Sequence, residues 1–249
     1  MKNNSEKSNI TLTFYDIVWA ATTFGTYYDN LYYLNVLKQE KFIEALRFHP
    51  SEMDIADVSN ILVDFLNKWG CRLKNYDYST ASNLKECIVK AHSDLLSLQH
   101  NSIFDFENEL NKDKVEGIFN AFWFYGSNVA KNFGPTATSK TLHIINPKLF
   151  TMWDDKIRLH YWVNNNEIID SGRGYYLFLL EIKKIADCLV SESKKKCKIN
   201  NPALWLSKRL KISPSMSIVK FIDEYNWLTY TKSLQKPDDW IPPFLIAPT

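Results

Sequence analysis

Lys140 and Asp154 stand 14 positions apart in the segment FGPTATSKTLHIINPKLFTMWDDKIR, residues 133–158. A carboxylate and an amine brought to one place can do two kinds of work. The carboxylate can stabilise a developing positive charge or activate a water. The amine, with its pKa depressed, can act as a nucleophile. His143 and Trp153 lie in the same segment and could add a hydrogen-bonding ring and an aromatic face.

The elements that must position these groups are two short helices. With Pro135 at the first helical position its missing N–H costs nothing. At about 100° per residue, Thr136, Ser139, Lys140 and His143 then fall on one polar stripe. Ala137, Thr141, Leu142, Ile144 and Ile145 fill the rest. The pattern predicts a helix buried on one side, with a Thr–Lys–His edge on the other. Asn146-Pro147 ends it. The stretch KLFTMW crosses over, anchored by Leu149, Phe150, Met152 and Trp153. Asp154 then opens a second helix, whose buried side is Ile157 and Tyr161. An Asp at that place caps free backbone N–H groups and faces the positive end of the helix dipole. Capping alone accounts for it, and capping is compatible with catalysis. Asp155 reads as a solvated first-turn acid.

This order resembles the active-site segment of the helix-hairpin-helix DNA glycosylase superfamily. There a hairpin glycine precedes a helix that begins with the catalytic lysine, and an aspartate caps the next helix with an apolar residue three positions on. Gly134-Pro135 matches the hairpin end, and Asp154 with Ile157 matches the aspartate and its follower. The resemblance covers roughly residues 115–165. It implies an all-α fold of two helical lobes around a cleft, with a boundary near residues 100–115. It implies DNA as partner and removal of a flipped-out damaged or unusual base, with or without strand cleavage. Asp154 and Lys140 are then the catalytic candidates, and His143 and Trp153 line the pocket. Gly134, Thr136, Ser139, Lys131 and Arg158 become candidates for the DNA backbone, helix N-termini being suited to phosphate.

Two registers fit. Aligning Gly134-Pro135 with the hairpin puts Thr136 in the lysine position, 18 residues before Asp154. Family members with a small hydroxyl residue there hydrolyse the base without nicking the strand. Lys140 is one turn later on the same stripe. Aligning Lys140 itself shortens the separation to 14 and breaks the hairpin match, as in a branch of the superfamily with a diverged hairpin. The alternative is a non-catalytic nucleic-acid-binding or helical protein-interaction module that keeps the fold. The threonine at 136 and a net charge of only +2 motivate it.

Composition agrees with a globular chain of 249 residues, 45% hydrophobic and 23% charged. Only 7 glycines argue against a turn-rich all-β fold. The 8 Trp and 13 Tyr read first as an aromatic-packed core and second as faces for stacking. A net charge near zero gives no global basic field, so nucleic acid would need a local patch. Lys194, Lys195, Lys196 and Lys198, with Lys208, Arg209 and Lys211, could form one; they also suit a solvated helix end. Cys71, Cys87, Cys188 and Cys197 show neither C-x-x-C nor zinc spacing and read as free thiols in a reducing cytosol. No apolar run approaches the ~20 residues of a membrane span. Phosphate-loop, dinucleotide, nucleophile-elbow and His-Glu metal motifs are missing. The expectation is a cytoplasmic monomer without cofactor or metal.

About eight to ten helices are expected. Thr13 caps the first. A long one runs from Asp29 until Pro50 stops it. Ser51, with Asp54 in the N3 place, is read as the capping box of a helix through Trp69 that Gly70 closes. Further helices cover residues 79–98 and the Phe/Trp-rich stretch VEGIFNAFWFYG. After the loop Gly172-Arg173-Gly174 comes another long helix. Asn201-Pro202 and Ser213-Pro214 start the last two. Trp240, Phe244 and Leu245 of the Pro-rich tail are expected to pin it to the body.

Overall fold

The computed structural model describes residues 12–73, 78–106, 109–129, 134–161, 170–212 and 216–242. Every regular element among them is helical, as the periodicity predicts. No helix there is long and apolar enough to cross a membrane.

α1 (Phe14–Phe24) opens on a complete capping box: Thr13 Oγ1 accepts from the Asp16 N–H, and Asp16 accepts from the Thr13 N–H at 2.9 Å. The long helix expected up to Pro50 is two, α2 (Tyr28–Leu37) and α3 (Glu40–Phe48), broken at Lys38–Gln39. The break lets α2 pack on one neighbour and α3 on others. Pro50–Glu52 forms a 3₁₀ turn of its own, so Asp54, not Ser51, caps α4 (Ile55–Asp57), accepting from the Ala56 N–H. A π-helical stretch, Val58–Val63, leads into α5 (Asp64–Lys68). Gly70 ends this run at φ 77°, a left-handed conformation that suits glycine, and the Cys71 N–H reaches back to the Leu66 carbonyl.

α6 (Tyr78–Ser97), α7 (Glu109–Val129), α8 (Pro135–Ile145), α9 (Asp155–Tyr161), α10 (Gly172–Cys197), α11 (Pro202–Arg209) and α12 (Ile218–Asn226) complete the order, and a π-helical turn, Trp227–Thr231, extends α12. α6 packs on α7 and α7 on α10, while α12 lies against α1, α10 and α11. Gly172-Arg173-Gly174 is not a loop but the first turn of α10, capped by Ser171. A Cβ on Gly172 would sit 2.5 Å from the Glu116 carbonyl oxygen, so glycine sets how closely α10 crosses α7. Asn201 caps α11 as expected. Ser217 caps α12; the expected start at Ser213-Pro214 lies outside the described residues. Trp240 packs half-buried on the core, and Lys236 pairs with Asp16 at 2.6 Å. Phe244 and Leu245 lie outside the described residues.

Buried apolar side chains from Leu12 to Ile222 join in one cluster that runs through both halves of the chain. α8 sits inside it, packed by α3, α5 and α7. That position overturns the expected Thr–Lys–His edge: from Pro135 to Ile145 every side chain but Thr136 is buried.

Candidate functional site

A cleft of ≈ 840 Å³ opens where five pieces of chain meet: Asp29 of α2, Lys68–Arg72 at the end of α5, the N-terminal end of α8, the N-terminal end of α9, and Trp227–Lys232. Lys140 and Asp154 both line it. A recess of ≈ 20 Å³ shares Asp29, Trp69, Lys140, Asp154 and Trp227 with the cleft and adds Phe24, Met152, Ile157 and Asp223.

Lys140 reaches the cleft from the second turn of α8 and is only 6% exposed. Its Nζ donates to the Trp69 carbonyl at 2.5 Å and stands 5.7 Å from the Trp69 ring centroid. That carbonyl ends α5, where the helix dipole favours a cation. Asp154 caps α9 as expected: Oδ1 accepts the N–H groups of Lys156 and Ile157, both at 3.0 Å. Its Oδ2 accepts from the Thr231 hydroxyl at 2.6 Å, tying α9 to the turn after α12.

The backbone candidates separate. Gly134 and Thr136 line the cleft, and Lys131 lies outside the described residues. Ser139 is fully enclosed; its hydroxyl accepts from the Trp153 N–H and donates to the Thr136 carbonyl, joining α8 to the start of α9. Arg158 touches the cleft, but its side chain is committed internally. It donates to Thr136 Oγ1, to the Trp153 carbonyl at 2.7 Å and to Asp155, and pairs with Asp170 at 3.0 Å. Asp155 is accordingly Arg158's partner as well as a first-turn acid. The exposed cations around the opening are instead Lys68, Arg72, Lys156 and Lys232.

His143 and Trp153 do not line the cleft; both are enclosed in the core. Burial pushes the His143 imidazole down to about 3, and Lys220 pushes it the same way. The neutral ring therefore has one tautomer that satisfies both neighbours. Nδ1–H donates to the Phe150 carbonyl at 2.6 Å, and Nε2 accepts from the Tyr33 hydroxyl at 3.1 Å. Trp153 stacks on Phe178, with ring centroids 5.6 Å apart. The aromatic faces in the cleft are Trp69 and Trp227, which sequence reading assigned to no site. Cys71 also lines it, but burial raises its thiol, which keeps it protonated and a poor nucleophile.

No protein-family model, curated protein or solved structure matches this chain.

Beneath the cleft lies a charged cluster that sequence reading also missed. Lys220 is fully buried, its Nζ 3.2 Å from Glu224 and 3.5 Å from Asp223. Aromatic rings surround it, with centroids at 4.3 Å (Phe24), 4.9 Å (Tyr33) and 5.5 Å (Trp69). Burial raises Asp223 to about 6 and Glu224 to about 7, against the pull of Lys220. Lys220, Asp223 and Glu224 have the i, i+3, i+4 spacing of an exposed helix pair. Nothing in the spacing argues against that reading: Ile218, Val219, Phe221 and Ile222 fall on one side of α12 and the three charges on the other, so their burial comes from the helices that pack around it. Among the described residues no group of three His, Cys, Asp or Glu side chains could hold a metal ion.

Proposed function

We propose that the cleft takes a base flipped out of a nucleic-acid strand and releases it by hydrolysis of its N-glycosidic bond. The observation that carries this reading is that Lys140 and Asp154, from two consecutive helices, line the same open cleft as Trp69 and Trp227. An indole face stacks on any base. Asp154 stabilises the developing charge on the sugar. Lys68, Arg72, Lys156 and Lys232 around the opening supply the local positive charge that a strand's phosphates need. The cleft takes lining residues from both halves of the chain, Asp29 and residues 68–72 from the first and residues within 134–158 and 227–232 from the second. On this reading the stretches before and after residues 100–115 are the two lobes.

Duplexes carrying uracil or 8-oxoguanine, incubated with the protein and then treated with alkali, test the reading. Strand scission that Asp154→Asn lowers by about 10²-fold or more is expected. No scission across a broad lesion panel sinks it. Borohydride trapping separates the two registers: an adduct lost in Lys140→Ala makes Lys140 the nucleophile, and scission without an adduct leaves water in that role.

One observation favours a second reading, a non-catalytic binding module. Both Asp154 oxygens and the Lys140 amine already have protein partners. Salt-sensitive binding of intact single strands, unaltered by Asp154→Asn and without base release, is its signature.

A further inference from the structure

Asp223 belongs to no motif in the chain, yet it lines the small recess beside the cleft. It comes from α12, whereas Lys140 and Asp154 come from α8 and the start of α9. It is 3% exposed, and the recess it lines adjoins the cleft, with Asp29, Trp69, Lys140, Asp154 and Trp227 lining both. Its one side-chain partner among the described residues is Lys220, whose Nζ lies 3.5 Å from Oδ2, a long contact. A carboxylate this enclosed gains from a further hydrogen-bond donor.

The recess measures ≈ 20 Å³. One water needs roughly 10–15 Å³ of such space and two to four polar partners. Asp223, Asp154 and Lys140 offer these, and the walls of Phe24, Met152, Ile157 and Trp227 leave no room for more.

We propose that the recess binds a single water and that Asp223 is a catalytic residue, the base that activates this water for base excision. The inference rests on the function proposed above and names its nucleophile. The water oxygen forms a bond to the sugar C1′ while the C1′–N bond breaks, its electron pair leaving with the base. The water's proton passes to Asp223, the departing base takes a proton from solvent, and Asp223 returns its own to solvent. Asp154 remains the charge stabiliser, held by its backbone N–H groups. Charged groups face Asp223 from every side: Lys220 and Glu224 on its own helix, Lys140 from α8, Asp154 from the start of α9 and Asp29 from α2. Burial and the Asp154 charge lift its carboxyl to about 6, a range suited to accepting a proton near neutral pH.

Two measurements test this. A high-resolution crystal structure is expected to show one ordered water within about 3.2 Å of Asp223 and of Asp154 or Lys140. A recess that is dry or filled by a side chain overturns the site, whatever the protein's activity. Single-turnover release from whichever of the uracil or 8-oxoguanine duplexes the parent attacks is expected to fall about 10²-fold in Asp223→Asn. Met152→Phe fills the recess from the other side without altering a carboxyl; it should expel the water and slow release equally, and it serves if Asp223→Asn fails to fold. An undiminished rate in either folded variant overturns the base role. If the parent releases no base at all, the proposed function and the base role fall together, and the electron density alone decides the water site.

Discussion

Asp154 shows how one side chain can satisfy a structural and a chemical demand. Its two oxygens are shared between the N-terminus of α9 and Thr231, leaving the negative charge at the cleft. Structure and chemistry can be pulled apart. Asn still offers a capping oxygen, so Asp154→Asn should melt close to the parent, whereas Asp154→Ala loses about 1 kcal/mol or more. Thermal denaturation of the two variants measures the difference. Equal destabilisation would mean that the charge, rather than the cap, holds α9. Asp154's place at a helix start was legible, because capping is local chemistry read over four residues. Asp223's place was not. Its neighbours in sequence say only that it is one turn from Lys220; its burial follows from α1, α10 and α11 closing over α12.

At the scale of elements, α8 marks where one-dimensional reading stops. Its boundaries were legible, since Pro135 and Asn146-Pro147 are strong local punctuation. Its exposed edge was not, since polar residues on a stripe look the same whether water or three helices receive them. Ser139, Lys140 and His143 are received by the Trp153 N–H, the Trp69 carbonyl and the Phe150 carbonyl respectively. The Lys38–Gln39 break was illegible for a related reason: nothing local forbids helix there, and separate packing partners for α2 and α3 reward the turn. The crossing of α7 and α10 yields a sharper prediction. Gly172→Ala drives a methyl against the Glu116 carbonyl and the Asn120 side chain. A loss of about 1–3 kcal/mol is expected, read from urea denaturation. An unchanged midpoint would show that the two helices can part without cost.

Across the whole molecule, buried titratable groups of opposite tendency set the response to pH. Asp223 and Glu224 move from 3.8 and 4.5 to about 6 and about 7, so between pH about 4 and 7 the folded state holds protons that the unfolded state has released. Their contribution is present below that window and lost as pH rises through it. His143 moves from 6.5 to about 3, so its contribution is present above 6.5 and lost as pH falls towards 3. The two slopes oppose each other between about pH 4 and 6.5. Melting temperatures recorded across this range should therefore tilt in opposite directions in variants. His143→Gln should lose stability steadily as pH rises, while Asp223→Asn with Glu224→Gln should gain it. Parallel curves in parent and variants would exclude these groups as the source.

The aromatic cage around Lys220 has one more consequence, for reagents rather than for folding. An amine that water cannot reach is one that an acylating ester cannot reach either. Lys156 and Lys232, at the surface, should acylate within the first minutes of exposure, whereas Lys220 should react only in molecules whose core has opened. Mass spectrometry of the peptide spanning residues 218–226 would then turn this lysine into a clock for global opening, one that ticks without any added fluorophore. Labelling of Lys220 as fast as Lys156 would mean that the cage is no barrier.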